Sequence, residues 1–397
     1  MLYRLNSLFL RALICLALVT LAGPANSIEL GPVKLHGFLN QVYLNTTGNN
    51  YLGDTIEGSW DYREAGINLF YRPTRPSYLA VQFIHKDIGS YAPNEQDIKL
   101  DYGVFGYQMS IDSYNEVALR IGEMKISQGF YSDALDVPVN RPSILLPQVM
   151  YYDYTRNNFF SFRGFSLGLK NSSTKGDIEA TLYHGISTVS DEDIYQYLLN
   201  YLSLPGVMIT GKTIEQKRHR PTQINLVYTT SDMRWKMGAL YRWANNAGTT
   251  ITAETNIGPI SLVNNTPHTN DLVFSIEHYR KRLTLTAEYY THHSSSDLPL
   301  SNSLGQSLYS TKDSTATEGY YLQGQYRFHD DWTGLLRTGT YKLPKNQNQN
   351  THRSVVAGIT WEPLANLLIR SEYHLIEGTA LVNRSDNPDP STHEKYW

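Results

Sequence analysis

Met233-Arg-Trp-Lys-Met-Gly-Ala-Leu-Tyr-Arg-Trp243 is the stretch on which the fold turns. In an extended chain, successive side chains point to opposite faces. Trp235, Met237, Ala239, Tyr241 and Trp243 then share one face, and Arg234, Lys236, Gly238 and Arg242 the other. One face is greasy and the other ionic. A sheet around a dry core shows that pattern only if its charged face meets bulk solvent. A sheet rolled around water within lipid gives it directly. The same parity turns Arg120 inward between Leu119 and Ile121, and Arg163 inward with Phe160 and Phe162 outward. Glu288, Arg327, Arg370 and Glu372 follow, and so does Arg337, although Leu335-Leu336 interrupts its alternation. Gly164 reads as a bulge, because Phe165, Leu167 and Leu169 resume on shifted parity.

Bulk composition agrees. Mean hydropathy is −0.39, and beyond the N-terminus no apolar run is long enough for a helical span. Tyrosines number 30 against 12 phenylalanines, which suits rings in lipid and hydroxyls in water. The chain opens with Arg4, Arg11, an apolar run over 12–22 and small residues to Ser27, the form of a cleaved export signal. The expected division is a signal peptide over 1–27 and a barrel over 28–397. The one cysteine, Cys15, lies in the signal, so a mature chain has no disulfide. A net charge of −3, two units more negative without Arg4 and Arg11, argues against nucleic acid as a partner.

Period-two alternation recurs in fifteen stretches, from Val33–Leu44 to Asn366–Ile376. Their connections alternate strictly between short (such as Ser231-Asp232 and Asp330-Asp331) and long (such as 187–221, 244–269 and 293–316). Loops sorted by side are a property of transmembrane barrels. His393-Glu-Lys-Tyr-Trp397 reads as the opening of a sixteenth strand. The predicted fold is therefore all-β: a transmembrane antiparallel β-barrel of sixteen strands, the last one missing or truncated.

The third long connection, 125–157, is too long for a turn and too rich in fixed points to be floppy. It holds Pro138, Pro142, Pro147 and an apolar patch, Ile144-Leu-Leu146. It is predicted to fold into the pore. Its Asp133 and Asp136 would face Arg120, Arg163, Arg337 and Arg370 across a constriction, with Arg141 and Arg156 anchoring the loop. Arg234, Lys236, Arg242, Glu288, Arg327 and Glu372 would line the pore. Opposed charged walls favour polar solutes, and the excess of inward bases predicts a mild anion preference. No metal or cofactor is expected: adjacent His292 and His293 point to opposite faces. No catalytic motif links Ser161 to His184, so no enzyme is expected. Lys217-Arg-His-Arg220 could meet lipopolysaccharide.

Leu119-Arg-Ile-Gly-Glu-Met-Lys125, Gly129-Phe-Tyr131, Asp136-Val-Pro-Val-Asn-Arg-Pro-Ser-Ile-Leu-Leu-Pro-Gln148 and Tyr152-Asp153 resemble Gram-negative outer-membrane porins. The likeness is greatest to the phosphate-selective porin O/P group and its gammaproteobacterial relatives. Lys34-Leu-His-Gly-Phe38 is similar to the first strand of such porins. The resemblance implies a sixteen-stranded homotrimer in the outer membrane with its third loop in the pore. The family's compact lysine cluster is absent here. The expected function is passive diffusion of small hydrophilic solutes and ions through a barrel bathed in membrane lipid and lipopolysaccharide. The alternative is a plugged barrel serving as adhesin or receptor.

Overall fold

The computed structural model describes residues 28–88, 98–132, 134–153, 161–187, 209–215, 219–246, 249–256, 260–302, 307–343, 351–382, 387 and 390–396. Each of the fifteen alternating stretches holds a strand among the described residues. The first four-strand run is β1 (Ile28–Leu30), β2 (Val33–Leu44), β3 (Thr46–Thr47) and β4 (Ser59–Tyr71). Then come β5 (Ser77–Ile88), β6 (Lys99–Ser110), β7 (Asn115–Lys125), β8 (Ser161–Ser173) and β9 (Gly176–Ile186). The next are β10 (Ile209–Glu215), β11 (His219–Thr230), β12 (Trp235–Asn246), β13 (Thr249–Thr255) and β14 (Ile260–Arg280). The last six are β15 (Leu283–Asn302), β16 (Ser307–His329), β17 (Trp332–Lys342), β18 (Thr351–Leu364), β19 (Leu367–Glu377) and β20 (His393–Tyr396).

Sixteen of these strands form one antiparallel wall in chain order, from β2 and β4 round to β19 and β20. The wall returns to its start at the rim, where β20 pairs Lys395 with Thr47 and Tyr396 with Thr46 of β3. β1 lies along the opposite end of β2, with Ile28 against Leu35. Because a barrel leaves no strand edge in lipid, antiparallel closure is the architecture such a sequence can use.

The seven short connections are tight turns. In one, Asp112 Oδ1 accepts the backbone N–H groups of Tyr114 and Asn115 at 2.7 and 2.8 Å. The Asn115 side chain and those amides hold the Asp112 carboxyl below its ordinary range. Three long connections differ from expectation. Most of 293–316 belongs to β15 and β16, which run 20 and 23 residues. Parts of 187–221 and 244–269 form β10 and β13, which pair with each other, and β13 pairs on to β14. These segments alternate threonine with apolar residues, as in Thr249-Thr-Ile-Thr-Ala253, and β-branched residues favour the pleated backbone. They extend one side of the wall beyond the rim.

The outer face is apolar: Leu39, Ile67, Phe83, Phe105, Ile121 and Leu322 are all exposed. The inner face is polar, and most of its buried groups touch the third loop.

Candidate functional site: a loop pinned across the lumen

The third loop leaves β7 at Lys125 and crosses the lumen. Its apolar patch packs on two parts of the wall. Leu145 joins Val42, Leu44, Tyr62 and Ile376, with Ile144 against them. Leu135, Leu146, Val149, Met150 and Tyr151 join Leu240, Val273 and Tyr321. A short 3-10 turn over Pro138–Asn140 forms its tip. Proline presets φ there, and Arg141 N–H closes the turn on Pro138 O.

Polar clamps then fix the loop at successive strands. From β4, Glu64 takes both Arg141 guanidinium nitrogens at 2.7 and 2.8 Å, the bidentate fork that arginine suits. Lys86 of β5 and Lys125 both pair with Asp136, and Lys125 also pairs with Asp101 of β6. From β11, Gln223 Nε2 donates to Ser127 O at 3.0 Å. Arg242 of β12 donates to Gln128 Oε1 at 2.8 Å and pairs with Asp271. Lys236 of the same strand sits 4.4 Å from the Phe130 ring centroid, a cation–π contact.

Glu288 of β15 is the most heavily used acceptor. It takes the Phe130 N–H at 2.7 Å, the Tyr151 hydroxyl at 2.7 Å, the Tyr321 hydroxyl at 2.6 Å and the Ser275 hydroxyl at 2.6 Å. Four donors satisfy a carboxylate that burial would otherwise penalise. Arg337 of β17 donates to Ser143 Oγ at 3.0 Å and Leu145 O at 2.9 Å. Arg370 of β19 donates to Pro138 O at 2.8 Å and Arg141 O at 2.7 Å. Glu372, one step higher on the same face, accepts Ile144 N–H and His374 Nε2.

The site residues read from the sequence thus divide. Arg337, Arg370, Glu288, Glu372, Lys236 and Arg242 face inward, and each contacts the loop. Asp136 meets lysines of the wall and loop root, not arginines across an aperture. Arg120 faces the lumen, is exposed, and donates through Nε to Tyr78 Oη at 3.1 Å. Arg327 shares the inner face near a short turn and pairs with Glu362 at 3.4 Å. Asp133 and Arg156 lie outside the described residues.

Two placements are corrected. Arg163 points outward with its side chain 81 % exposed and pairs with Glu123. Its strand keeps one register with β7 and β9, and Gly164 makes no bulge. The reason is Phe162, which turns inward and packs with Met124, Val104 and Ile126 at the root of the loop. Arg234 stands in the turn beside Asp232, 63 % exposed, not on the pore wall. Met233 takes a positive φ there, so the strand begins only at Trp235.

Sequence reasoning missed Glu64, Lys86, Asp101, Asp271, Gln223 and Gln323. All sit on the inner face, and a parity count finds Glu64 between Tyr62 and Gly66. The partner of each was not readable, since Arg141 and Glu64 are 77 positions apart.

No family profile and no curated protein matches this chain. Solved structures do. OmpF of Salmonella typhi, in complex with daunomycin, aligns over 94 % of this chain and 98 % of its own, with TM-score 0.54 and 11 % identity. OmpT of Vibrio cholerae aligns over 94 % and 98 %, with TM-score 0.51 and 10 % identity. An anion-selective porin from Comamonas acidovorans aligns over 92 % and 96 %, with TM-score 0.50 and 8 % identity. The fold is that of an outer-membrane porin. At such identities the likeness is one of fold.

Proposed function

We propose that this chain is an outer-membrane porin through which small hydrophilic solutes and ions diffuse passively, with a mild preference for anions. The observation that carries the reading is the sidedness of the wall: apolar residues outward, ionic residues inward, and a loop tied into the lumen. Residues 1–27 would direct export and be removed. The resemblance of 119–156 to phosphate-selective porins supports the class, but described charges of its loop are paired within the protein. Asp136 is matched by Lys86 and Lys125, and Arg141 by Glu64. The anion lean is therefore assigned to the wall clear of the clamps, where Arg72 and Arg120 lie on the inner face. Vibrio OmpT is also described in a trimer form, and a homotrimer is proposed here on that likeness. The outward Arg163 and Arg220 would meet lipopolysaccharide headgroups.

A second reading has one observation in its favour. The clamps run round the circumference from β4 to β19, which would suit a plugged barrel acting as adhesin or receptor. Planar-bilayer recording of the refolded full chain separates the two. Discrete current steps in KCl, with a zero-current potential displaced toward anions under a salt gradient, support the porin. A silent membrane from folded protein overturns it.

A further inference from the structure

Away from the polar clamps, the inner wall carries an aromatic shelf, and Tyr78 at one end of it packs on the apolar cluster at the loop root. Phe70 of β4 and Tyr78 of β5 lie nearly parallel, with centroids 5.5 Å apart and planes 27° from one another. Both are half-buried. Tyr78 lies flat across β6: a Cβ on Gly106 would stand 2.1 Å from its Cζ. Phe38 of β2 uses the same device, lying over Gly66, where a Cβ would meet its ring at 2.4 Å. Glycine on the neighbouring strand lets each ring lie down on the wall with one face against backbone. Phe38, Phe70 and Tyr78 share the inner parity of Glu64, Lys86 and Arg120.

Guanidinium groups stand at both ends of the shelf. Arg72 sits 5.5 Å from the Phe70 centroid. Arg120 holds the Tyr78 hydroxyl at 3.1 Å. The track thus runs Arg72, Phe70, Tyr78, Arg120 across four consecutive strands. Tyr78 lies about 13 Å along β5, at about 3.3 Å per residue, from Gln82, whose Nε2 donates to Asp136 O of the loop at 3.4 Å. An inorganic anion would use the arginines and ignore the rings. An apolar solute would use the rings and gain nothing from the arginines. A planar ring bearing a carboxylate uses both, by stacking on the aromatic face and pairing with a guanidinium.

We propose that this track is a lumenal binding site for aromatic carboxylates. It deepens the porin reading and rests on it in one respect: the ligand arrives as a diffusing solute. The refolded full chain in detergent micelles is titrated with benzoate, acetate and cyclohexanecarboxylate, with binding followed by calorimetry. Benzoate is expected to bind at least tenfold more tightly than either of the others. Phe70→Leu and Arg120→Gln should each weaken benzoate about tenfold, while the outward Arg163→Gln leaves it unchanged. Equal binding of the three acids, or benzoate binding indifferent to both inner substitutions, overturns the site. The heat-dependent gel shift of a folded barrel checks each variant, and Arg72→Gln, at the exposed end, serves if Phe70→Leu does not fold. Bilayer recording keeps the two readings apart. KCl current that benzoate leaves unblocked in the unmodified chain counts against the site alone. Silence in KCl with selective benzoate binding in micelles counts against the channel alone.

Discussion

Whether a given arginine shapes the pore depends on which way its strand faces and on what it already holds. Arg120 and Arg163 show the contrast: one faces the lumen beside Tyr78, the other faces out beside Glu123. Arg120→Gln, alone or with Arg72→Gln, should move the zero-current potential toward cations under a KCl gradient. Arg163→Gln should leave it where it was; a shift of equal size would reverse our placement of the two faces. The parity rule found Arg120 because Leu119 and Ile121 flank it cleanly. It misplaced Arg163 because Phe160, Phe162 and Phe165 cannot all lie on one face, and the sequence does not say which phenylalanine the loop root covers. Glu64 makes a sharper case. It is buried with Arg141, and removing one member of a buried pair costs about 3–5 kcal/mol because the other charge stays in a dry site. Glu64→Ala should free the loop tip, read as faster limited proteolysis near Pro138–Asn140 in a barrel that still shows its heat-dependent gel shift. Unchanged cleavage would mean that the fork does not hold the loop.

The third loop behaves as an element because its clamps are many and its apolar patch is shared between two wall clusters. Its existence was legible: three prolines, Ile144-Leu-Leu146 and a length no turn needs. Its docking was not, since each partner is set by closure of the wall and lies tens to hundreds of positions away, as with Ser143 and Arg337. The element also reverses a simple electrostatic picture. Asp136 and Asp101 together neutralise Lys86 and Lys125, so Asp136 contributes no opposed charge to an aperture. Asp136→Asn removes one negative charge and leaves two lysines sharing Asp101. The zero-current potential should shift toward anions, and the shift should shrink as salt is raised, because screening weakens charge effects over about 10 Å at 0.1 M. A shift toward cations would show that Asp136 is not matched as described. Glu288→Ala acts on the same element through hydrogen bonds. It leaves Phe130 N–H and two tyrosine hydroxyls without their acceptor, each unmatched buried group costing about 1–3 kcal/mol. Single-channel traces should become noisier and larger, with the barrel itself intact.

At the scale of the whole molecule, the wall is uneven. β14, β15 and β16 carry ladders that continue past the rim, while β19 meets β20 through only four residue pairs. Below that, among the described residues, no ladder joins Leu367–Tyr373 of β19 to β2, and β1 covers only Val33–Leu35. Alternation along each strand predicted the number and order of strands, because period two is local. The strength of each seam could not be foreseen, since pairing length depends on how far the long loops add strands above the membrane. Backbone amides exchange with solvent according to the free energy of local opening. In micelles, hydrogen exchange should therefore be slowest in the membrane-height parts of β14 to β16. It should be fastest, among strand amides, on the side of β19 turned toward β2. Uniform protection around the wall would mean that the seam is held by contacts as strong as the ladders, and β19 would then be no weaker a boundary than any other strand.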